Sequence, residues 1–149
     1  MSSYSFLDVA ASIVGPTGSA TLGYGAGSAE EGITIEMTAD KNTMSVGAGG
    51  EVMHSLHADK SGRVIVRLQK TSPQNQLLMA MYDAQTISAS LHGQNTIVIQ
   101  QKASGDVTTC RLCAFKRKPN LSYAKEANTI EWEWDAGKID TVLGAYVTP

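Results

Sequence analysis

Apolar and polar side chains alternate with a period of two over three stretches of the chain. In Gly32 to Thr38, Ile33, Ile35 and Met37 fall on one side and Thr34, Glu36 and Thr38 on the other, the pattern of a strand with one dry face. Arg63 to Gln69 sets Val64, Val66 and Leu68 against Arg63, Ile65, Arg67 and Gln69, and Thr129 to Asp135 sets Ile130, Trp132 and Trp134 against Thr129, Glu131, Glu133 and Asp135. Further strands are predicted over Ser5 to Ile13, Ala20 to Leu22, Thr43 to Val46, Thr96 to Gln101, Val107 to Lys118, Leu121 to Ala124 and Lys138 to Leu143, with Ser104-Gly105-Asp106 turning a hairpin. One segment follows the helical period, Pro73 to Ile87. There Ser72 can cap, Pro73 suits the first helical position, and Leu77, Leu78, Met81, Tyr82 and Ala84 share a side. Leu77, Leu78 and Met81 are expected inward, with Gln74, Asp83 and Gln85 nearer solvent. Strands so spaced, with turns between them, predict an antiparallel β-sandwich or barrel with one flanking helix rather than alternating βα units.

Between two of the strong strands lies Ala39 to Gly62, too long for a plain hairpin loop, since structureless connections beyond about 12 to 15 residues are uncommon. It holds Gly47, Gly49 and Gly50 together with Met44, Val46, Val52, Met53 and Leu56. Apolar residues argue against disorder, so the segment reads as a projecting arm ordered against a partner. No repeat, long like-charge block or linker divides the chain, so residues 1–149 are expected to form a single domain.

Fourteen acidic and twelve basic residues leave a net charge of −2, which supplies no strong field for nucleic acid or an anionic membrane. The first 29 residues lack Lys and Arg, and Pro16 and five glycines break the uncharged stretch from Val9 to Ala29. Neither a signal peptide nor membrane insertion is expected. Two cysteines are too few for a disulfide scaffold and fit a reducing cytoplasm. Charged residues make up only 17% of the chain, a composition that predicts surface buried against other chains.

Candidate chemistry is thin. Cys110 and Cys113 have metal or redox spacing, but no second pair completes a zinc site, and extended flanks would point the two thiols to opposite faces. Buried structural thiols are the better reading. His54 and His57, near Glu51 and Asp59, match no metal motif and are read as polar interface contacts. Gly23 to Gly27 has the outline of a phosphate loop, yet Ser28 replaces the third glycine and Glu30-Glu31 would repel phosphate. Lys116-Arg117-Lys118 reads as a solvated strand end, and Trp132 and Trp134 as core or interface. No serine sits in a nucleophile elbow. No catalytic, cofactor-binding or metal site is expected.

The strings "AEEGITIEMTADKNTMSVGAGGEVMHSLHADKSGRVIVRLQKTSPQNQ", "LHGQNTIVI", "CRLCAFKRKP" and "EWEWDAGKIDTVLG" closely resemble the tail tube proteins of contractile-tailed bacteriophages, over nearly the whole chain. The tubes of phage-derived bacteriocins and defective prophages share the likeness. The resemblance implies a β-sandwich subunit with a flanking helix. Six such subunits form a ring whose inner sheets join as a β-barrel, and rings stack into a hollow tube. Implied partners are the sheath protein, the tape-measure protein inside, the baseplate and tail terminator proteins, and DNA as transient cargo. The implied location is the virion tail, after assembly in the host cytoplasm.

On this reading the arm carries ring stacking through Met44, Gly47, Gly49, Gly50, Met53 and Leu56. A channel wall must let a polyanion slide, so the lumen face is expected among Thr34, Glu36 and Thr38 or Glu131, Glu133 and Asp135, whose carboxylates would neutralise Arg63 and Arg67 across strands. The competing reading is a small monomeric β-barrel that binds an apolar ligand or carbohydrate on Trp132 and Trp134. A hydrolytic tail component lacks a catalytic constellation.

Overall fold

The computed structural model describes residues 3–25, 27–126 and 128–146, with backbone only for 28–31. Ala26 of the glycine loop and the side chains of Glu30 and Glu31 lie outside the described set.

The described residues form ten strands and one α-helix. They are β1 (Val9–Gly15), β2 (Gly18–Thr21), β3 (Ser28–Met37), β4 (Asn42–Val46), β5 (Val52–Leu56), β6 (Gly62–Gln69), α1 (Gln74–Gln85), β7 (Asn95–Gln101), β8 (Asp106–Phe115), β9 (Thr129–Ala136) and β10 (Lys138–Val142). Every pairing is antiparallel. The main sheet runs β2-β1-β7-β8-β9-β6-β3, with β10 also beside β8, while β4 and β5 pair only with each other. Ala11, Ile13 and Ala20 from one half meet Val64, Val66, Leu68, Trp132 and Trp134 from the other in a single apolar cluster. The sheet therefore folds over itself as a sandwich, and β8 belongs to both layers.

The corner is built in β8. Asn95 pairs with Cys113 and Ile97 with Cys110, so Arg111 and Leu112 together oppose Thr96. Leu112 takes φ 55°, the left-handed conformation that lets a strand accommodate an extra residue. This bulge corrects the expectation for the cysteines. In a regular strand positions three apart face opposite ways, but the added residue returns Cys113 to the side of Cys110, and both are fully buried.

The predicted hairpin at Ser104-Gly105-Asp106 joins β7 to β8, with Gly105 at φ 82° donating its N–H to the Gln101 carbonyl at 3.0 Å. Leu121 to Ala124 is not a strand. Lys70 holds that segment instead, donating from Nζ to the Ser122 carbonyl and lying 3.6 Å from the centre of the Tyr123 ring. The start of the predicted first strand is a 3-10 turn, Phe6–Asp8, which Ser5 caps by accepting from the Leu7 N–H at 3.1 Å.

Helix α1 lies beside β2, and its inward face differs from the expected one. Leu78 and Met81 are buried, but Leu77 is 46% exposed and Gln85 is 1% exposed. Gln85 is taken inside by a reciprocal amide pair, donating to Asn95 Oδ1 at 2.8 Å and accepting from Asn95 Nδ2 at 2.7 Å, with Thr17 Oγ1 at 3.1 Å. A fully paired amide is tolerated in a core, whereas an unpaired one costs about 1–3 kcal/mol. Gly15 leaves room for it, because a Cβ there would stand 1.9 Å from Asn95 Oδ1. At the other end Pro73 is the cap residue, one position later than expected, and Ser72 Oγ accepts from the Gln74 N–H at 3.3 Å. Asn75 Oδ1 receives the Trp132 indole N–H at 3.0 Å, fastening α1 to β9.

Candidate assembly surfaces

Register turns two separate expectations into one surface. Thr34 and Glu36 of β3 stand opposite Ile65 and Arg63 of β6, and Arg67, Ile65 and Arg63 stand opposite Glu131, Glu133 and Asp135 of β9. Partners directly opposite share a face. The polar sides of β3, β6 and β9 therefore form a single outer surface, with Thr38 just beyond it, donating its N–H to Ser61 O at 3.0 Å.

The charges on that surface bond to one another. Arg63 donates from Nε to Glu36 Oε2 at 2.8 Å and reaches Glu133 Oε1 at 3.2 Å, while Lys116 Nζ lies 3.7 Å from the same Glu133 oxygen. Arg67 reaches Glu131 at 3.4 Å and donates to Thr34 Oγ1 at 3.1 Å. Hydrogen bonding and charge from Glu36 raise the Arg63 pKa above its ordinary value. The expected neutralisation of Arg63 and Arg67 is thus present. Lys116 is a member that the alternating pattern did not point to, since it follows the end of β8.

The sandwich's other outer face is of another kind. Ala10 and Ser12 of β1, Thr21 of β2, and Val98 and Gln100 of β7 line a shallow open groove of about 280 Å³ beside Leu7, Tyr24 and Lys102. Among the described residues Lys102 is the single charged member of that lining.

The arm is a two-stranded hairpin. Strand β4 matches the predicted Thr43 to Val46, extended by Asn42, and β5 is a strand the sequence reading did not assign. Met44 pairs with His54 and Val46 with Val52, so Met44, Val46, Val52 and Leu56 share a face. Met53, opposite Ser45, lies on the other side with Thr43 and Ser55. All five apolar residues remain more than half exposed. The tip is a glycine turn in which Gly47 donates to Glu51 O at 2.8 Å and Gly50, at φ 87°, donates to Gly47 O at 3.0 Å, with Gly49 between them. His54 Nδ1 lies 3.1 Å from Asn42 Nδ2 and His57 Nε2 lies 2.8 Å from Thr43 Oγ1. At the base Ser61 hydrogen-bonds Asp59 and holds its carboxyl below the usual range.

Both edges of the charged layer are open among the described residues. Strand β3 pairs with β6 on one side only. On β8, pairing with β7 ends at Cys113, so Ala114 and Phe115 are paired on the β9 side alone.

The remaining candidates are absorbed by the core. Trp132 and Trp134 are buried, 6.4 Å apart and stacked, with Phe115 against both. They present no platform to a ligand, which removes the observation behind the monomeric binder. Burial pushes the thiols up, Cys110 to about 11 and Cys113 to about 12, so neither is a thiolate at neutral pH. Among the described residues no group of three or more metal-ligating side chains forms, and no helix is long and apolar enough to cross a membrane.

The structure resembles three solved assemblies in fold. A chain of the PVC sheath-tube complex of an extracellular contractile injection system, in its extended state, aligns with TM-score 0.61 and 9% identity, covering 95% of this chain and 92% of that one. A chain of the anti-feeding prophage cap, the AFP tube terminating cap, aligns with TM-score 0.58 and 8% identity over 97% and 93%. A chain of the anti-feeding prophage baseplate gives TM-score 0.58 and 8% identity over 95% and 96%. No curated protein sequence matches significantly. The family model described as the bacteriophage PhiTE tail tube protein matches residues 1–144. With an antiparallel sandwich, a flanking helix and an unpartnered arm, the chain belongs to this phage tail tube family and is a structural subunit of a tail tube.

Proposed function

We propose that six copies form a ring and that rings stack along their axis into a hollow tube, with β4 and β5 reaching the next ring. The observation that carries this reading is the arm. A two-stranded hairpin is marginal alone in water, and here Met44, Val46, Val52 and Leu56, on one face, are all more than half exposed. A heterologous lateral contact closes a ring and a second, axial contact extends it; the open edges of β3 and β8 suit the first and the arm the second.

The charged layer faces the channel in this proposal. Glu36, Glu131, Glu133 and Asp135 stand beside Arg63, Arg67 and Lys116, which are held in ion pairs. Cations held in this way do not trap phosphates, which suits passage of DNA after release of a tape-measure protein. The sheath lies outside, baseplate and terminator proteins at the ends, and assembly takes place in the host cytoplasm. The contractile injection assemblies found among the structural matches support a second reading with the same geometry, the tube of a phage-derived device.

Replacing Gly47 through Val52 by a short turn should leave a folded subunit that forms rings but no long tubes, seen by electron microscopy. Normal tubes from that variant would remove the arm from stacking. Glu36→Lys with Glu131→Lys should allow tube assembly but slow genome delivery, with relief as salt rises; a reconstruction with both residues outside the channel defeats the lumen assignment.

A further inference from the structure

Strands β3, β6 and β9 come level at Met37, Gly62 and Ala136, the end from which the arm leaves, and β6 and β9 finish together at the other end with Gln69 and Thr129. The eight residues of β6 put those ends about 23 Å apart at about 3.3 Å per residue. In a stack of one polarity each axial contact joins two different surfaces. The arm therefore needs a receiving surface on the side of the subunit away from its own root. Residues 119–124 occupy that side. Lys70, which directly follows Gln69, donates from Nζ to the Ser122 carbonyl and stands 3.6 Å from the centre of the Tyr123 ring.

The composition of Leu121 to Ala124 is that of a strand, yet the subunit gives it no ladder. Among the described residues none of the N–H groups from Asn120 to Ala124 has a hydrogen-bond partner. Leu121 and Tyr123 are both exposed, Tyr123 at 83%. A backbone pinned by Lys70 thus presents two large apolar side chains to water.

Charge separates the two ends as well. The strands and turn of the arm, Asn42 to Leu56, carry one formally charged residue, Glu51. Its carboxylate lies over the glycine turn: a Cβ on Gly49 would stand 2.7 Å from Oε1, and one on Gly47 3.1 Å from Oε2. The far segment is entered through Arg117 and Lys118 and left through Lys125, with Glu126 as the acidic exception, and all four are exposed. Among the described residues neither Glu51 nor these three basic side chains form an ion pair.

We infer that residues 119–124 receive the arm of a copy in the adjacent ring. Leu121 and Tyr123 cover the face of Met44, Val46, Val52 and Leu56, and the Glu51 carboxylate enters among Arg117, Lys118 and Lys125. The inference rests on the stacking role proposed above for the arm. Covering one apolar surface with the other removes both from water, and opposite charges select which end the tip seeks. Two arm tips, or two receiving ends, brought together would confront like charges. The contact therefore sets the polarity of the stack.

Electron microscopy of the purified protein tests this. Leu121→Ser with Tyr123→Ser should keep the wild-type circular dichroism, because both side chains are exposed, and should need roughly tenfold more protein to form tubes. At the wild-type concentration its rings are then mixed with rings whose Gly47 through Val52 are replaced by a short turn. The first kind retains the arm and the second retains the receiving segment, so each kind alone stays as single rings. Together one ring of each kind can join, and the mixture should yield ring pairs that grow no further. Misfolding cannot produce that product. Glu51→Gln should raise the concentration for tubes roughly threefold and flatten its salt dependence. The inference is overturned by a mixture that stays as single rings, by Glu51→Gln tubes with wild-type salt dependence, or by normal tubes from Leu121→Ser with Tyr123→Ser. If those normal tubes no longer bind the sheath protein, the segment belongs to the sheath contact. Normal tubes from the shortened arm overturn the stacking proposal instead.

Discussion

The paired strands β6 and β9 and the hairpin β4–β5 are written in the same alternating code and end in opposite environments. Val64 and Trp134 are 0% exposed, whereas Val52 is 55% and Leu56 80% exposed. Both pairs are antiparallel and both gather their apolar side chains on one face. The first pair lies in a layer covered by β1, β7 and β8, so its apolar face is removed from water inside the subunit. Among the described residues no second layer covers the hairpin. Alternation reports that a strand has an apolar face, and the rest of the molecule decides whether that face is core or interface.

That contrast can be broken most strongly at the core. Leu78→Ala should destabilise the subunit by about 2–5 kcal/mol, while Leu77→Ala, on the exposed side of α1, should cost less than about 0.5 kcal/mol. Urea unfolding midpoints of the two variants check the corrected helix face; equal shifts would show that the face is assigned wrongly.

Gln85→Ala comes next. It strands the Asn95 amide in the core, and the expected loss is about 1–3 kcal/mol. Because Asn95 is the direct partner, Gln85→Ala with Asn95→Ala should cost less than the two single changes added together. Additive losses would mean that the amide pair contributes nothing as a pair.

A smaller effect depends on pH. The folded thiols have pKa values raised to about 11 and about 12 by burial, against roughly 8.5 in an unfolded chain. Below the unfolded value both states are protonated and the buried thiols' contribution is fully present. Above it the unfolded state loses protons first, so stability falls as pH rises from about 9 towards 11. Cys110→Ala with Cys113→Ala lowers stability at pH 7 but should show a shallower decline over that window. A decline as steep as the wild type's would assign the slope to other groups.

The smallest change in folding stability belongs to the arm. Val52→Ser with Leu56→Ser should alter the unfolding midpoint by less than about 0.5 kcal/mol and still shorten or abolish tubes. A large loss of subunit stability would place the apolar face in contact with the subunit's own core. Met53→Ser, on the hairpin's other face, separates the two faces: it should affect tube length less than Val52→Ser does.

The class of fold was readable from the residues because it follows from local chemistry. The alternations at Ile33 to Thr38, Arg63 to Gln69 and Thr129 to Asp135, the Ser104-Gly105-Asp106 turn and the helix after Pro73 each depend on neighbours in the chain. The outward carboxylates of β3 and β9 were likewise visible one strand at a time. Their union in one charged layer required register, which places Arg63 between Glu36 and Glu133 and is set by pairings 27 to 70 residues apart. The turning of Cys113 to the core required the bulge at Leu112, a long-range fit between β7 and β8. Gln85 is polar by composition and buried only because Asn95 and Thr17 meet it there. Composition and period determine which side of each element avoids water. Which surfaces meet, and which are left open for another copy, is decided by tertiary packing, because burial and hydrogen-bond satisfaction depend on partners far away in sequence.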